Sequence, residues 1–319
     1  MSAAAVAWPV KARAQQAANP VVGFVNGSTA ETSQHLLAGF RKGLAETGYV
    51  EAQNVTVEYH WLDGHYDQLE GLMADLVHRR VAVIATPASN VATFAAKAAT
   101  TTIPIVFGVA EDPVRLGLVA SIARPGGNAT GINFFFSEVI GKRLSLLREL
   151  VPKAARIAVL VNPSNASTAE TTIRDIEKIA PGMGLQYQVL NASTNGEIDG
   201  AFAVFQRERP DALFVAPDGF FSSRAVQFAT LTARDRIPAS YANRYIVVAG
   251  GLMSYGPDLA DVFRQAGVYT GRILKGEKPA DLPVLQSTKF DFVINLQTAR
   301  ALGIEVPPGV LSVADEVIE

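Results

Sequence analysis

At 319 residues, with 49% hydrophobic and only 18% charged side chains, the chain is too long for one small core and suits two α/β lobes. A net charge of -2, with lysine and arginine scattered and no basic run, excludes an electrostatic surface for nucleic acid or an anionic membrane. The lack of cysteine excludes a thiol nucleophile, a thiolate metal site and a disulfide framework, and it suits an exported protein.

In chain order, Ala3 to Val10 is a short apolar stretch, and Ala12-Arg13-Ala14 before Gln15-Gln16 is a small-x-small triplet. Together they predict the remnant of a secretion signal over 1–19, cleaved after Ala14; an alanine-rich disordered tail is the other reading. No later stretch has the length of a membrane span. Val21 to Val25 reads as a buried strand, followed by an Asn26-Gly27-Ser28 turn and a Ser28/Glu31 capping box. Leu36, Leu37, Phe40 and Leu44 repeat at helical spacing up to Gly48. Val55 to Tyr59 is a strand, Leu69 to Val77 a helix, and Val81 to Ala85 a strand. Ser89 to Ala99 is a helix, and Ile103 to Phe107 a fourth strand. Near-continuous apolar strands alternating with helices predict a parallel sheet covered on both faces.

Arg124-Pro125-Gly126-Gly127-Asn128 is the densest breaker cluster, and the same rhythm restarts after it. Strands are expected at Ile157 to Val161, Leu185 to Val189, Ala212 to Val215 and Pro238 to Tyr241. Helices are expected at Thr168 to Ile179, Ile198 to Arg207 and Ser222 to Ala233. The segment with helices at Pro257 to Leu274 and Leu296 to Leu302, and a strand at Lys289 to Ile294, is too small for a domain and should complete the other two sheets. The expected division is lobe 1 over 20–127 plus about 252–280, and lobe 2 over 128–251 plus about 281–319.

Short segments spread along the chain resemble the family of ABC transporter substrate-binding proteins that includes tryptophan- and tyrosine-associated members. They include Gly48-Tyr49-Val50-Glu51, Thr102-Ile103-Pro104-Ile105-Val106-Phe107, Asp112-Pro113-Val114 and Arg124-Pro125-Gly126-Gly127-Asn128. Further on come Ile157-Ala158-Val159-Leu160-Val161-Asn162-Pro163, Gly250-Gly251-Leu252-Met253-Ser254-Tyr255-Gly256 and Thr288-Lys289-Phe290. The resemblance implies the type I periplasmic binding fold, two Rossmann-like lobes joined by three hinge crossings. It also implies a small molecule in the cleft, no cofactor, delivery to an ABC permease in the inner membrane, and a periplasmic monomer.

In open α/β sheets ligands bind beyond the carboxyl ends of the strands, so the strand-to-helix turns are the candidates. Asn26, Ser28, Thr29, Thr86 and Ser89 offer polar groups for a carboxylate beside helix N-termini, although Ser28 and Ser89 can equally cap their helices. Asn162 lies in the matching turn of the second half. Asp218, an acid directly after a buried strand, suits an ammonium group or a helix cap, and Asp112 has the same two readings. Phe135, Phe136, Phe220, Phe221, Tyr241 and Tyr245 could stack on an aromatic ligand. Gly126, Gly127, Gly250 and Gly251 are the candidate hinges.

Enzyme signatures are missing: there is no G-x-S-x-G, no phosphate loop and no G-x-G-x-x-G. His35, His60, His65 and His78 fit no common metal spacing. The expectation is an exported solute-binding protein that closes around an amino acid or aromatic acid and catalyses nothing. A ligand-sensing domain of a regulator or receptor, or a two-domain racemase or lyase, is the alternative.

Overall fold

The structure is a computed structural model describing residues 19–134 and 136–319, with 136–138 described by their backbone alone. Residues 1–18 of the expected secretion signal, Phe135 and the Phe136 side chain lie outside the described residues.

The first lobe opens with β1 (Val21–Asn26), α1 (Gln34–Glu46), β2 (Thr56–Trp61), α2 (Leu69–His78) and β3 (Val83–Thr86). It continues with α3 (Asn90–Ala99), β4 (Ile105–Val109) and β5 (Ala129–Asn133). The second lobe holds α4 (Phe136–Leu150), β6 (Arg156–Val161), α5 (Ala166–Ile179), β7 (Gln186–Asn191), α6 (Asn195–Glu208) and β8 (Ala212–Val215). Then come α7 (Gly219–Ser223), α8 (Ala225–Asp235), β9 (Ala239–Tyr241), α9 (Arg244–Val248) and β10 (Met253–Pro257). The chain returns to the first lobe for α10 (Leu259–Leu274) and β11 (Leu285–Gln286). It finishes in the second with β12 (Phe290–Asn295), α11 (Leu296–Leu302), α12 (Pro308–Ser312) and β13 (Glu316–Ile318).

The first sheet runs β11-β5-β4-β3-β1-β2 and is parallel throughout. The second runs β13-β12-β10-β9-β8-β6-β7 and is parallel except where β10 meets β12. Alternation along each strand feeds a core on each face. In β1, Val22 and Phe24 enter one cluster and Val25 the other; in β6, Ile157, Val159 and Val161 oppose Ala158 and Leu160. This is the two-lobed, mostly parallel α/β architecture that the strand runs predict. On return, α10 packs backbone to backbone on α1. A Cβ at Gly43 would collide with the Arg264 carbonyl, and one at Gly267 with the Phe40 carbonyl.

Strand pairing corrects the expected boundaries. β5 pairs with β4 in the first sheet, β10 with β9 and β12 in the second, and β11 with β5 in the first. The crossings therefore fall after β5, at Asp258, and between β11 and β12, each a few residues later than expected. The breaker cluster does not divide the lobes; it turns the chain into β5. Gly126 N–H donates to the Ala280 carbonyl, and Asn128 Nδ2 donates to the Thr100 and Ile103 carbonyls, all within the first lobe. Gly250 and Gly251 likewise turn α9 into β10 inside the second lobe, where Gly251 N–H donates to the Ile246 carbonyl. Gly127 adjoins Lys97 in the same first-lobe loop as Gly126. All four glycines thus lie off the crossings.

Three further expectations change. The Ser28/Glu31 capping box is not formed, because α1 begins at Gln34 with Ser33 at its N-cap position. The helix expected over Ser222 to Ala233 is split at Arg224 into α7 and α8. α4 and β10 add an element each to the second lobe.

Candidate functional site

The carboxyl ends of both sheets face one cavity lined by residues of both lobes. From the first lobe, the turn after β1 supplies Asn26, Ser28, Thr32 and Ser33, with Leu36 on α1. The turn after β3 supplies Ala88 and Asn90. Ala110 follows β4, Phe134 lies on the first crossing, and Leu259 and Phe263 project from α10. The second lobe supplies Asn165 and Thr168 after β6, then Pro217, Asp218, Gly219 and Ser222 after β8. Asn243 and Tyr245 follow β9. The lining combines polar groups from the turns with apolar Leu36, Phe134, Tyr245, Leu259 and Phe263, which pack together in one cluster.

Asp218 is the electrostatic centre. It caps α7, accepting from Phe221 N–H at 3.2 Å. Its Oδ1 also accepts from Asn162 Nδ2 at 3.0 Å, and its Oδ2 from Asn165 Nδ2 at 3.0 Å. Tyr66, in the first lobe, donates its hydroxyl to Oδ2 at 3.4 Å. Among the described residues no lysine or arginine forms an ion pair with this carboxylate, and burial pushes its pKa above the usual aspartate value despite the amide donors. Beside it, the buried Oδ1 of Asn165 has no hydrogen-bond donor. A carboxylate without a cation and an amide oxygen without a donor, both at the cavity wall, are the complement of an ammonium group.

Around the cavity the lobes touch each other. Arg224 Nη1 meets Asp63 Oδ1 at 2.8 Å and its guanidinium lies 4.7 Å from the Phe220 ring centroid. Asn90 Nδ2 bonds Glu111 on its own lobe and reaches Ser167 and Thr168 on the other, at 3.2 and 3.3 Å. His35 Nε2 lies 2.6 Å from the Tyr245 hydroxyl. Gly219 sits so close to the facing backbone that a Cβ on it would lie 2.9 Å from Gly27 C.

Of the expected site residues, the structure brings Asn26, Ser28 and Asp218 to the cavity wall, with Asn162 one bond behind. Ser28 Oγ pairs with Ser33 Oγ at 2.5 Å, and Asn26 Nδ2 holds the Pro87 carbonyl at 2.7 Å. The others sit elsewhere. Thr29 bonds Thr32 at the rim, and Thr86 is buried against Thr93. Ser89 caps α3, so Asn90, one residue on, faces the cavity. Asp112 is exposed and caps the following turn by accepting from Val114 N–H, while Glu111 turns inward. Phe220 packs under Arg224 against Gly64, and Tyr241 is in the second-lobe core with its hydroxyl on Thr232. Of the aromatic candidates, Tyr245 reaches the cavity. Thr32, Leu36, Thr168, Leu259 and Phe263 were not foreseen; Thr32 lies in the turn before α1, Leu36 and Thr168 on helix first turns, and the last two on α10, which only the return of the chain brings here.

Residues 21–318 match the family profile described as ABC transporter substrate binding protein. The chain is 27% identical over 270 residues to the tyrosine-binding protein of Clostridioides difficile (strain R20291), covering 84% of this chain and 76% of that one. It superposes with TM-score 0.84, at 25% identity, on the ABC domain in complex with L-Trp from Streptococcus pneumonia, covering 94% of this chain and all of that one (100%). With TM-score 0.64 and 24% identity it also matches the ligand-free, open structure of a substrate-binding protein with adhesive properties from Clostridium difficile, covering 94% and 99% of the two chains.

Proposed function

The chain belongs to the ABC transporter substrate-binding protein family, and on that premise we propose that it is the extracytoplasmic component of an importer that holds a free aromatic amino acid between its lobes. One observation carries the ligand class: among the described residues the buried Asp218 carboxylate has no cation and the neighbouring Asn165 Oδ1 no donor, in a cavity that apolar side chains also line. An α-ammonium group donates to both oxygens and supplies the missing charge. The hydroxyls of Ser28, Thr32 and Ser33, in the turn that leads into α1 on the other lobe, also line the cavity and are available to the α-carboxylate. Leu36, Phe134, Leu259 and Phe263 accept the ring. Relatives named for L-Trp and tyrosine support this class. The contacts between lobes, and the better superposition on the L-Trp complex than on the ligand-free open structure, favour a closed arrangement reached by hinge motion. In this reading the ligand is released unchanged to a membrane permease, and residues 1–19 are the trace of export.

A thermal-shift screen tests the reading. L-tyrosine, L-tryptophan and L-phenylalanine should raise the melting temperature, since a ligand at 100 times its Kd adds about 2.7 kcal/mol to stability. Equal stabilisation by the same aromatic propionates without an ammonium group would overturn it.

A further inference from the structure

A second cavity adjoins the first, and both are lined by Asn243, Tyr245 and Leu259. Tyr245 stands between them as a pinned ring. Its backbone is in the first turn of α9, in the second lobe, while its hydroxyl meets His35 of α1 in the first lobe, with ring centroids 4.4 Å apart. Burial and the nearby Arg244 guanidinium lower the His35 pKa, which favours a neutral ring whose Nε2 accepts from the tyrosine hydroxyl. Behind the ring the lining changes character, to Arg244, Asp258 and Asp291. The guanidinium is already paired with Glu316 at 2.6 Å, which leaves the carboxylates to set the local field. Burial, joined by the charges of Asp258 and Asp315 and opposed by the Arg244 guanidinium, raises the Asp291 carboxyl above its usual range.

We propose that Tyr245 is the specificity-determining partition of the binding site: it ends the ring chamber and thereby sets the longest side chain accepted. Opening it joins the chamber to an acidic space suited to a cationic extension. The inference rests on the ligand class above. With the α-ammonium at Asp218, the ring would rest on the apolar part of the lining, to which Tyr245 and Leu259 belong.

The test is calorimetric titration of wild type, Tyr245→Phe, Tyr245→Leu and Tyr245→Ala with three probes. These are L-phenylalanine and its para-aminomethyl and para-carboxyl derivatives. Wild type and Tyr245→Phe, which keep the ring, should bind L-phenylalanine and reject both extended probes. Tyr245→Ala should bind the aminomethyl probe at least about tenfold more tightly than wild type does, with no gain for the carboxyl probe. Tyr245→Leu, which keeps more of the packing, should shift the same way by less, and it decides the question if the alanine protein does not fold. Folded Tyr245→Ala and Tyr245→Leu proteins that bind L-phenylalanine and still reject the aminomethyl probe overturn the partition. Wild-type protein that binds no aromatic amino acid overturns the ligand class, and the partition with it.

Discussion

Replacing Asp218 with asparagine removes the charge and keeps the shape. In the unliganded protein the carboxylate is held by neutral donors at 3.0, 3.0, 3.2 and 3.4 Å, with no ion pair. Losing one good acceptor is offset by no longer burying an unpaired charge, so unfolding free energy should change by no more than about 1 kcal/mol. Ligand binding is different, because there the carboxylate faces an ammonium group in a buried site. Removing one partner of such a pair costs 2–5 kcal/mol, and the surviving amide oxygen puts Asp218→Asn near the low end, at about 2–3 kcal/mol. At about 1.4 kcal/mol per decade, affinity for L-tyrosine or L-tryptophan should fall about 30- to 140-fold. Titration calorimetry reads the affinity, and urea unfolding reads the stability. The aromatic propionates are the internal control, since they cannot use the pair and should bind the variant at least as well as wild type. An equal loss for amino acid and propionate, or no loss for either, refutes the assignment of Asp218.

The pH dependence follows from the same group. Burial raises the Asp218 pKa in the free protein, and a bound ammonium favours the ionised form. Affinity should therefore level off above that raised value and weaken on acidification through it, with proton release on binding as the pH falls. Calorimetry in buffers of different ionisation heat reads this, and pH-independent affinity with no proton release contradicts it. Because the folded unliganded state holds the Asp218 proton more tightly than the unfolded chain, this group's contribution to stability rises as pH falls through its folded pKa. Gly219→Ala places a Cβ 2.9 Å from Gly27 C on the facing lobe, and should weaken binding about tenfold with little change in unliganded stability. Scattering with and without ligand should show the variant failing to compact. Arg224→Ala removes a partly exposed pair with Asp63, worth about 0.5–1 kcal/mol. Ligand release in stopped flow should quicken about two- to fivefold, and an unchanged rate would show that the pair does not hold the lobes together.

The β-branched runs at β1, β3, β4, β6 and β8 were legible because strands buried on both faces must be apolar on both sides. β5 was not legible: Ala129-Thr130-Gly131-Ile132-Asn133 has no such run, and Gly131 is there because a Cβ would strike the Phe107 backbone. α4 carried a readable stripe, Val139, Ile140, Leu144 and Leu147, all buried. Crossing positions depend on which sheet each strand joins, and local breakers do not encode that choice. At the site, Asp218 could be read from its place after a buried strand. Elsewhere the turns were right and the register was off by one residue, as with Ser89 for Asn90 and Asp112 for Glu111. Ser89 caps α3 and its neighbour Asn90 lines the cavity, whereas Asp112 caps a turn and its neighbour Glu111 is buried against Asn90. Tyr241 and Tyr245 differ for a similar reason: the first points from β9 into the core, whereas the second rides on the helix after it.

The most direct test is a crystal structure of the protein with L-tyrosine or L-tryptophan bound. The ammonium nitrogen should lie within hydrogen-bonding distance of Asp218 Oδ2 and Asn165 Oδ1, about 2.7–3.2 Å, with the ring among Leu36, Phe134 and Phe263. An amino acid held outside the space between the lobes, or turned with its carboxylate towards Asp218, would contradict the account.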